Sequence, residues 1–245
     1  MSVTTSVQRA GFGLYRRMRQ IVGRHRQFLF LFGFDPRLRK LIVTGQTELL
    51  IEGYPRSANS FALHAFLSAQ KETVRVASHL HLSGQCQVAF CRKIPSLILI
   101  RNPQDAVASF MILEGNKMSP QQALREYITF YRDVLPHRDR FVLASFEEVT
   151  TNFGRVIERV NERFRTEFGL FVHTDANVEV CYRQMDATVQ SRGGRQSDVL
   201  TQSARPVPER RDIKERVMKE LFSNRPSGLL KEAQTLYSQL MGKGN

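Results

Sequence analysis

The chain has 245 residues, of which 42% are hydrophobic and 24% are charged, and its formal net charge is +13. This composition excludes a disordered or fibrous protein, and the length supports one substantial core, so we expect a single domain over residues 1–245. The charge favours an anionic partner, but nucleic acid, an acidic membrane surface and a polyanionic small ligand all satisfy it.

Neither the cysteines nor the apolar runs indicate an extracellular or membrane-spanning protein. Cys86, Cys91 and Cys181 match no zinc or redox spacing, and their odd number argues against a disulfide framework. The apolar run from Phe28 to Phe34 is far shorter than the roughly 20 residues that span a bilayer, and no signal-peptide cleavage pattern follows it. We therefore expect a soluble, cytoplasmic protein without a transmembrane segment.

Residues 7–34 form a basic amphipathic segment, in which arginines alternate with apolar residues at helical spacing before the run FLFLFGF. Such a segment can make peripheral contact with an anionic membrane. It can also be a helix that packs on the core with its arginines in water. The sequence favours the second interpretation and leaves the first open.

The stretch LLIEGYPRSANSFALHAFLSAQ, residues 49–70, predicts a strand, a polar loop and a helix. Gly53 to Ser60 fits the phosphate-loop frame G-x-x-x-x-G-K-[ST], except that Ala58 and Asn59 replace the Gly-Lys pair. A loop that leads into a helix N-terminus suits an anion, and Arg56 and Ser60 are placed to contact it. Without the lysine, a phosphorylated ligand other than a triphosphate is expected. An ordinary strand-to-helix turn stays open as the alternative.

The rest of the chain alternates apolar runs with helical periodicity. The runs VRVASH (74–79), SLILIR (96–101) and FVLASF (141–146) predict strands, and residues 104–113, 120–135, 153–168 and 229–241 predict helices. Asn102 is a candidate cap and Pro103 the first residue of the helix that follows it. Residues 183–211 are rich in Arg, Ser, Gln and Gly and predict a long, mobile loop.

This alternation predicts an α/β fold with a doubly wound, mainly parallel sheet and helices on both faces. In such a fold the ligand binds beyond the carboxyl ends of the strands, where Arg56, His79 and Arg101 fall. Two arginines suit two separated anionic groups. The third strand ends in Arg101 where a triphosphatase usually has a magnesium-holding aspartate, so no metal is expected.

Two of these segments resemble the donor-binding motifs of one family. GYPRSANSF is similar to the 5′-phosphosulfate loop of sulfotransferases that use 3′-phosphoadenosine 5′-phosphosulfate (PAPS). LILIRNPQDAVASF is similar to their 3′-phosphate motif, with Arg-Asn-Pro, an aspartate two residues later and Ser109 eight residues after Arg101. VASHLHL resembles the segment that carries their catalytic histidine, and FVLASFEEV resembles the following strand. The resemblance covers residues 47–165 and implies a P-loop-like sulfotransferase fold.

Carried over position by position, the resemblance implies which residues hold the donor. They are Arg56, Ser57, Ala58, Asn59, Ser60, Phe61, Arg101, Ser109, Arg192 and Gly193. Arg56 would neutralise charge on the transferring sulfuryl group, Phe61 would stack on the adenine, and Arg101 with Ser109 would hold the 3′-phosphate. Arg192 and Gly193 resemble a further contact to that phosphate, although the lysine expected between them is missing.

The resemblance also implies a sulfuryl transfer in which His79 is the general base, and PAPS leaves as 3′-phosphoadenosine 5′-phosphate (PAP). His81 is the rival base, and His64 is interpreted as a packed helix residue. The acceptor would be a hydroxyl on a glycan, a glycolipid or another alcohol, and the basic charge favours one that is anionic or membrane-associated.

Two departures from the family pattern leave alternatives open. Ala58 replaces the usual loop glycine, and Phe146 replaces a tyrosine near the base of the donor. A protein that binds the donor without turnover is therefore one alternative. A basic nucleic-acid-binding protein is another, but no recognition helix or aromatic-basic clustering is evident, and no nucleic acid is expected. A small-molecule kinase would need the missing lysine and a metal-binding carboxylate.

Overall fold

A four-stranded parallel sheet forms the centre of the protein. The computed structural model describes residues 3–114, 117–191, 208–222 and 228–242. The strands are β1 (Leu49–Gly53), β2 (Val76–Ser78), β3 (Ser96–Ile100) and β4 (Val142–Ser145), and their order in the sheet is β2-β1-β3-β4. The central strand β1 pairs Leu50 with Ala77 of β2 and with Ser96 of β3.

Helices account for most of the remaining described residues. They are α1 (Val3–Gly23), α2 (Pro36–Arg39), α3 (Asn59–Ala69), α4 (Ser83–Cys91), α5 (Pro103–Glu114), α6 (Pro120–Val134), α7 (Phe146–Thr151), α8 (Phe153–Phe164), α9 (Asp175–Ser191), α10 (Pro208–Phe222) and α11 (Gly228–Leu240). Two 3-10 segments span Arg26–Phe34 and Leu135–Arg140. The predicted start of α5 is confirmed, since Asn102 Oδ1 accepts a hydrogen bond from the Gln104 amide at 3.0 Å and Pro103 is the first helical residue.

The sheet separates two hydrophobic cores, because successive strand residues point to opposite faces. Leu50 and Ile98 pack on one face with residues of α4, α5, α6 and α11. Ile51 and Leu97 pack on the other with residues of α3, α8 and α9. The predicted α/β fold with a parallel sheet and helices on both faces is confirmed.

The connections place a crevice at the end of β1. From β1 the chain runs through α3, on one face, to β2, and then through α4, on the opposite face, to β3 on the other side of β1. At such a reversal the loops after neighbouring strands separate, and ligands of doubly wound folds bind there. Arg56, His79 and Arg101 all lie just beyond the carboxyl ends of their strands.

Three predicted boundaries were wrong. The strand predicted to reach Phe146 ends at Ser145, because Ser145 and Glu148 form a capping box that starts α7. The helix predicted to reach Phe168 ends at Phe164, and Arg165 follows it in the left-handed conformation.

The loop predicted over residues 183–211 is wrong at both ends. Residues 183–191 belong to α9 and residues 208–211 to α10, while residues 192–207 lie outside the described part. The buried residues of α9 are Cys181 and Met185, so this helix carries little of the apolar periodicity by which helices are recognised in a sequence.

The orientation of α1 also differs from the favoured expectation that its arginines lie in water. Arg16 pairs with Glu126 of α6 at 2.6 Å, and Arg19 donates to the carbonyl oxygen of Leu80 at 2.7 Å. Burial of these two side chains is affordable because each meets a polar partner. In the part of the chain that the structure describes, no helix combines the length and apolar composition needed to cross a bilayer.

Candidate functional site

The loop between β1 and α3 has an unusual backbone. Arg56 and Ala58 have φ angles of 71° and 70°. Ala58 is the residue before α3, and at 6% exposure its methyl group packs in the second core. Alanine here adopts the conformation that glycine would adopt more readily, at a cost of about 1–2 kcal/mol.

The first turn of α3 is available to an anion. Ala58 has no side chain that caps the helix, so the first amide groups of α3 receive no side-chain cap from it. Such amides, together with the positive end of the helix dipole, favour a phosphate or sulfate group. Gly53 permits the close approach of β1 to β3 at this point, since a Cβ there would overlap the carbonyl oxygen of Leu99.

The loop is held from beneath by Tyr131 of α6. The Tyr131 hydroxyl donates to the Leu99 carbonyl at 2.7 Å, accepts from the Tyr54 amide at 3.3 Å and lies 3.5 Å from Ser57 Oγ. Asn59 Nδ2 donates to the Tyr54 carbonyl at 3.1 Å. The Ser57 and Asn59 side chains are therefore buried under the loop. Asn59 Oδ1 is buried without a hydrogen-bond partner in the described part of the chain.

Arg56, Ser109 and Arg101 come together between β1 and β3. Arg56 Nε donates to Ser109 Oγ at 3.1 Å, and Arg101 Nη1 donates to the Arg56 carbonyl oxygen at 3.0 Å. The Arg101 guanidinium also lies 3.8 Å from the centroid of the Phe146 ring. Phe146 thus keeps a contact at the crevice through a cation–π interaction, although it has no hydroxyl.

The charge on Arg101 is only weakly compensated. Burial lowers the pKa of Arg101, and the negative charges of Asp105 and Glu147 oppose that shift. No carboxylate among the described residues pairs with Arg101 within 4.0 Å. A desolvated guanidinium with a carbonyl and a ring as its contacts is well suited to bind an anionic ligand.

His79 faces the same loop from the end of β2. Its Nε2 lies 3.0 Å from Ser60 Oγ, in the first turn of α3, and its Nδ1 lies 2.8 Å from Ser78 Oγ. Both ring nitrogens are therefore within hydrogen-bond distance of a serine hydroxyl. Ser60 joins the histidine to the loop that carries Arg56.

His81 has a structural role. Its Nδ1 lies 2.7 Å from the carbonyl oxygen of Gly53, so Nδ1 carries the proton and donates it. Burial, reinforced by the charge of His79, lowers the pKa of His81 to about 3. His81 is consequently neutral near pH 7 and a weak base.

Backbone strain is concentrated around these groups. Six non-glycine residues in the described part of the chain have positive φ, and four of them are Arg56, Ala58, His79 and His81. Strained residues of this kind persist where the surrounding structure imposes them, which is common at functional sites.

Glu52 fixes the segment that carries His79, and the sequence analysis missed it. Its buried carboxylate accepts hydrogen bonds from the amides of Leu80 (2.7 Å) and His81 (3.1 Å) and from Gln85 Nε2 (2.9 Å). The signal was present as a lone acidic residue in the apolar run LLIEG, because a charge buried in a strand requires partners. Tyr127 and Tyr131 were also missed, and their helical periodicity marked them only as core residues.

The buried carboxylate of Glu52 predicts a pH-dependent stability. Burial raises its pKa from 4.5 to about 7, although the hydrogen bonds from Leu80, His81 and Gly53 oppose the rise. The folded state then binds the proton more tightly than the unfolded state. Stability from this group is therefore fully present below pH 4.5 and is lost as the pH rises to about 7, with a loss of about 3 kcal/mol.

Urea unfolding of the wild type and of Glu52→Gln at several pH values measures this contribution. We expect the variant to lack the fall in unfolding free energy that the wild type shows between these pH values. Parallel pH profiles for the two proteins would show that Glu52 has no raised pKa.

Two predicted donor contacts are not brought to the crevice by the described residues. Phe61 is 2% exposed, and its ring packs against Phe171 and Tyr182 at centroid distances of 6.1 and 5.8 Å. It has no exposed face on which an adenine can stack, because it belongs to the second core. Arg192 and Gly193 lie outside the described residues.

No set of metal ligands is found in the part of the chain that the structure describes: no three or more His, Cys, Asp or Glu side chains are grouped so as to hold an ion.

Comparisons with known proteins give one kind of match. No protein-family model matches the chain, and no curated protein matches it. Four chains of solved structures do match, and one of them is the mouse sulfotransferase SULT7A1 complexed with PAP. That alignment covers 83% of this chain and 95% of the mouse chain, with 10% identity and a TM-score of 0.44. At these values the likeness establishes no family for this chain.

Proposed function

We propose that the protein is a sulfotransferase that moves a sulfuryl group from PAPS to an acceptor hydroxyl. The observation that carries the proposal is the meeting of Arg56, Ser109 and Arg101 at the crevice beside His79. These are the residues that the motif resemblance assigns to the donor and to catalysis, and they come from three separate strand ends. No short-range sequence constraint requires them to meet.

The geometry supports a donor with two separated anionic groups. The amides of the first turn of α3, with Arg56, would take the 5′-phosphosulfate, as helix N-termini take phosphates. Arg101 and Ser109 would take the 3′-phosphate. A guanidinium suits this task because it contacts phosphate in a planar, multidentate way and keeps its charge near neutrality.

The proposed reaction is an in-line displacement at sulfur. The acceptor oxygen forms a bond to sulfur while the bond from sulfur to the bridging oxygen of the 5′-phosphate breaks, and the electron pair leaves with PAP. His79 Nε2 takes the proton of the acceptor hydroxyl. Arg56 stabilises the negative charge that develops on the departing phosphate.

The two serines beside His79 support this role. In the neutral imidazole one nitrogen donates and the other accepts. If Nδ1–H donates to Ser78 Oγ, then Nε2 is the acceptor and faces the loop that holds the sulfuryl group. His81 is a poorer candidate, because its Nδ1 is engaged by Gly53 and burial keeps its pKa low.

A donor-binding protein without turnover is the second candidate. The observation that favours it is that both ring nitrogens of His79 already lie near serine hydroxyls. An acceptor hydroxyl would have to replace Ser60 at Nε2, and catalysis depends on that exchange.

Incubation with sulfur-labelled PAPS and a panel of glycans, glycolipids and simple alcohols distinguishes the two candidates. The enzyme transfers label to at least one hydroxyl class and releases PAP in equal amount. Tight binding of PAP with no transfer to any class would support the second candidate and contradict the first.

A further inference from the structure

An apolar surface on the N-terminal segment is exposed to solvent. It consists of Leu14, Tyr15, Met18 and Ile21 on α1 and of Phe28, Phe30, Leu31 and Phe34 in the 3-10 segment that follows; we call it the N-terminal apolar surface. Eleven exposed large hydrophobic residues occur among the described side chains, and eight of them belong to this surface. The most exposed is Phe34, at 78%. Exposed apolar residues that cluster in this way mark an interaction site.

The exposure follows from the way in which α1 docks. The helix is attached to the domain through Arg16, Arg19 and Gly23, which contact Glu126, the Leu80 carbonyl and the Leu82 side chain. These residues lie on one side of the helix, because they are separated by three or four positions. Leu14, Met18 and Ile21 share the opposite side and are therefore presented outward. The helix is thus turned with its polar anchors inward and its apolar stripe outward.

The surroundings of this surface are strongly basic. Residues 1–46 contain nine Lys and Arg residues and one acidic residue, Asp35, so this part of the chain contributes +8 of the net charge of +13. Arg17 lies beside the apolar stripe of α1 and is exposed. Arg39, Lys40 and Arg75 line a cavity of about 720 Å³ whose wall includes Phe34. Cationic side chains are therefore placed next to the most exposed aromatic ring.

We propose that the N-terminal apolar surface docks on an anionic lipid bilayer. Of the partners that fit an exposed apolar face, a bilayer with acidic headgroups satisfies both halves of this one, since the apolar side chains insert at the acyl boundary while the basic side chains meet the headgroups. Phenylalanine is among the residues expected on the apolar face of such an interfacial helix. A second copy of the chain would place +8 against +8, and a nucleic acid would leave the phenylalanines in water.

The proposal does not depend on the proposed transfer reaction, because none of its residues belongs to the crevice. Its direct test is sedimentation of the full chain with vesicles of phosphatidylcholine alone and of phosphatidylcholine with phosphatidylserine. We expect the protein to sediment with the mixed vesicles and to remain largely in solution with the neutral ones. High salt should weaken the binding, because it screens the headgroup charge.

Two matched double variants separate this surface from exposed apolar residues in general. Phe30→Ser with Phe34→Ser should lower the partition coefficient on mixed vesicles by about tenfold or more, as expected for the loss of two buried aromatic rings. Leu170→Ser with Val172→Ser, which changes two exposed apolar residues elsewhere in the chain, should leave it unchanged. All four positions are exposed, so both variants should unfold at the wild-type temperature.

Equal vesicle binding by the two double variants would overturn the proposal. So would sedimentation velocity that shows a dimer abolished by Phe30→Ser with Phe34→Ser while neither vesicle type binds the wild type. That result would assign the surface to contact between copies. Binding to nucleic acid but to neither vesicle type would overturn it as well.

Discussion

Replacing His79 with asparagine should lower kcat for sulfuryl transfer by about 10²- to 10⁴-fold, the usual contribution of a general base. Asparagine is chosen because His79 has a φ of 62°, a conformation that asparagine tolerates better than alanine. The variant should bind PAP with nearly wild-type affinity, since the donor contacts come from Arg56, Arg101 and Ser109. The measurement is kcat with labelled donor together with the dissociation constant for PAP.

His79→Ala is the companion variant and should also abolish turnover while sparing donor binding. His64→Ala is the matched control, because His64 lies on α3 away from the Ser60 and Ser78 contacts of His79. Its kcat should stay within a few-fold of wild type. Near-normal turnover in His79→Asn, with the fold intact, would sink the assignment of the base.

Replacing Arg101 with methionine should weaken PAP binding by about 10- to 100-fold, the loss expected for hydrogen bonds to a charged group. Methionine retains the apolar stem that covers Phe146 but removes the guanidinium. Since Arg101 is assigned to the 3′-phosphate, the affinity for 5′-AMP, which lacks that phosphate, should hardly change. Calorimetric titration with the two nucleotides measures the difference directly.

Arg37→Met provides the control for the Arg101 variant, because Arg37 is exposed and pairs with Asp35 far along the chain from the crevice. Its affinity for PAP should equal that of the wild type. An equal loss of affinity for PAP and for 5′-AMP in Arg101→Met would contradict the assignment of Arg101 to the 3′-phosphate. It would indicate that the substitution disturbs the loop through the Arg56 carbonyl instead.

The sheet was predictable from the sequence for a clear physical reason. Strands buried on both faces must be apolar along their whole length, and runs such as SLILI therefore identified them. Their carboxyl ends were then fixed by the loops that follow. This information placed Arg56, His79 and Arg101 on one edge before any distance was known.

Features that depend on contacts between distant residues were not predictable in the same way. The inward orientation of Arg16 requires Glu126, which is 110 residues away in the chain. The anchoring of the His79 segment requires Glu52 to meet the amides of Leu80 and His81. Phe61 occupies a position that resembles a stacking residue, yet the rings of Phe171 and Tyr182 enclose it. Sequence spacing carries no information on such partners.

Ala58 illustrates an intermediate case. The sequence showed that alanine stands where the resembled loop has glycine, and it raised the question of how the backbone would accommodate a Cβ. The structure retains the left-handed conformation and buries the methyl group in the second core. The anion-binding geometry of the loop is thus kept at the expense of local strain.

The most direct test of the central claim is thermal unfolding with PAP and, separately, with ATP and magnesium. A ligand at about one hundred times its dissociation constant stabilises the native state by about 2.7 kcal/mol. For a chain of this size that corresponds to a rise in Tm of about 5–10 °C. The account predicts this rise with PAP and none with ATP and magnesium. A rise with ATP and magnesium but none with PAP would contradict it.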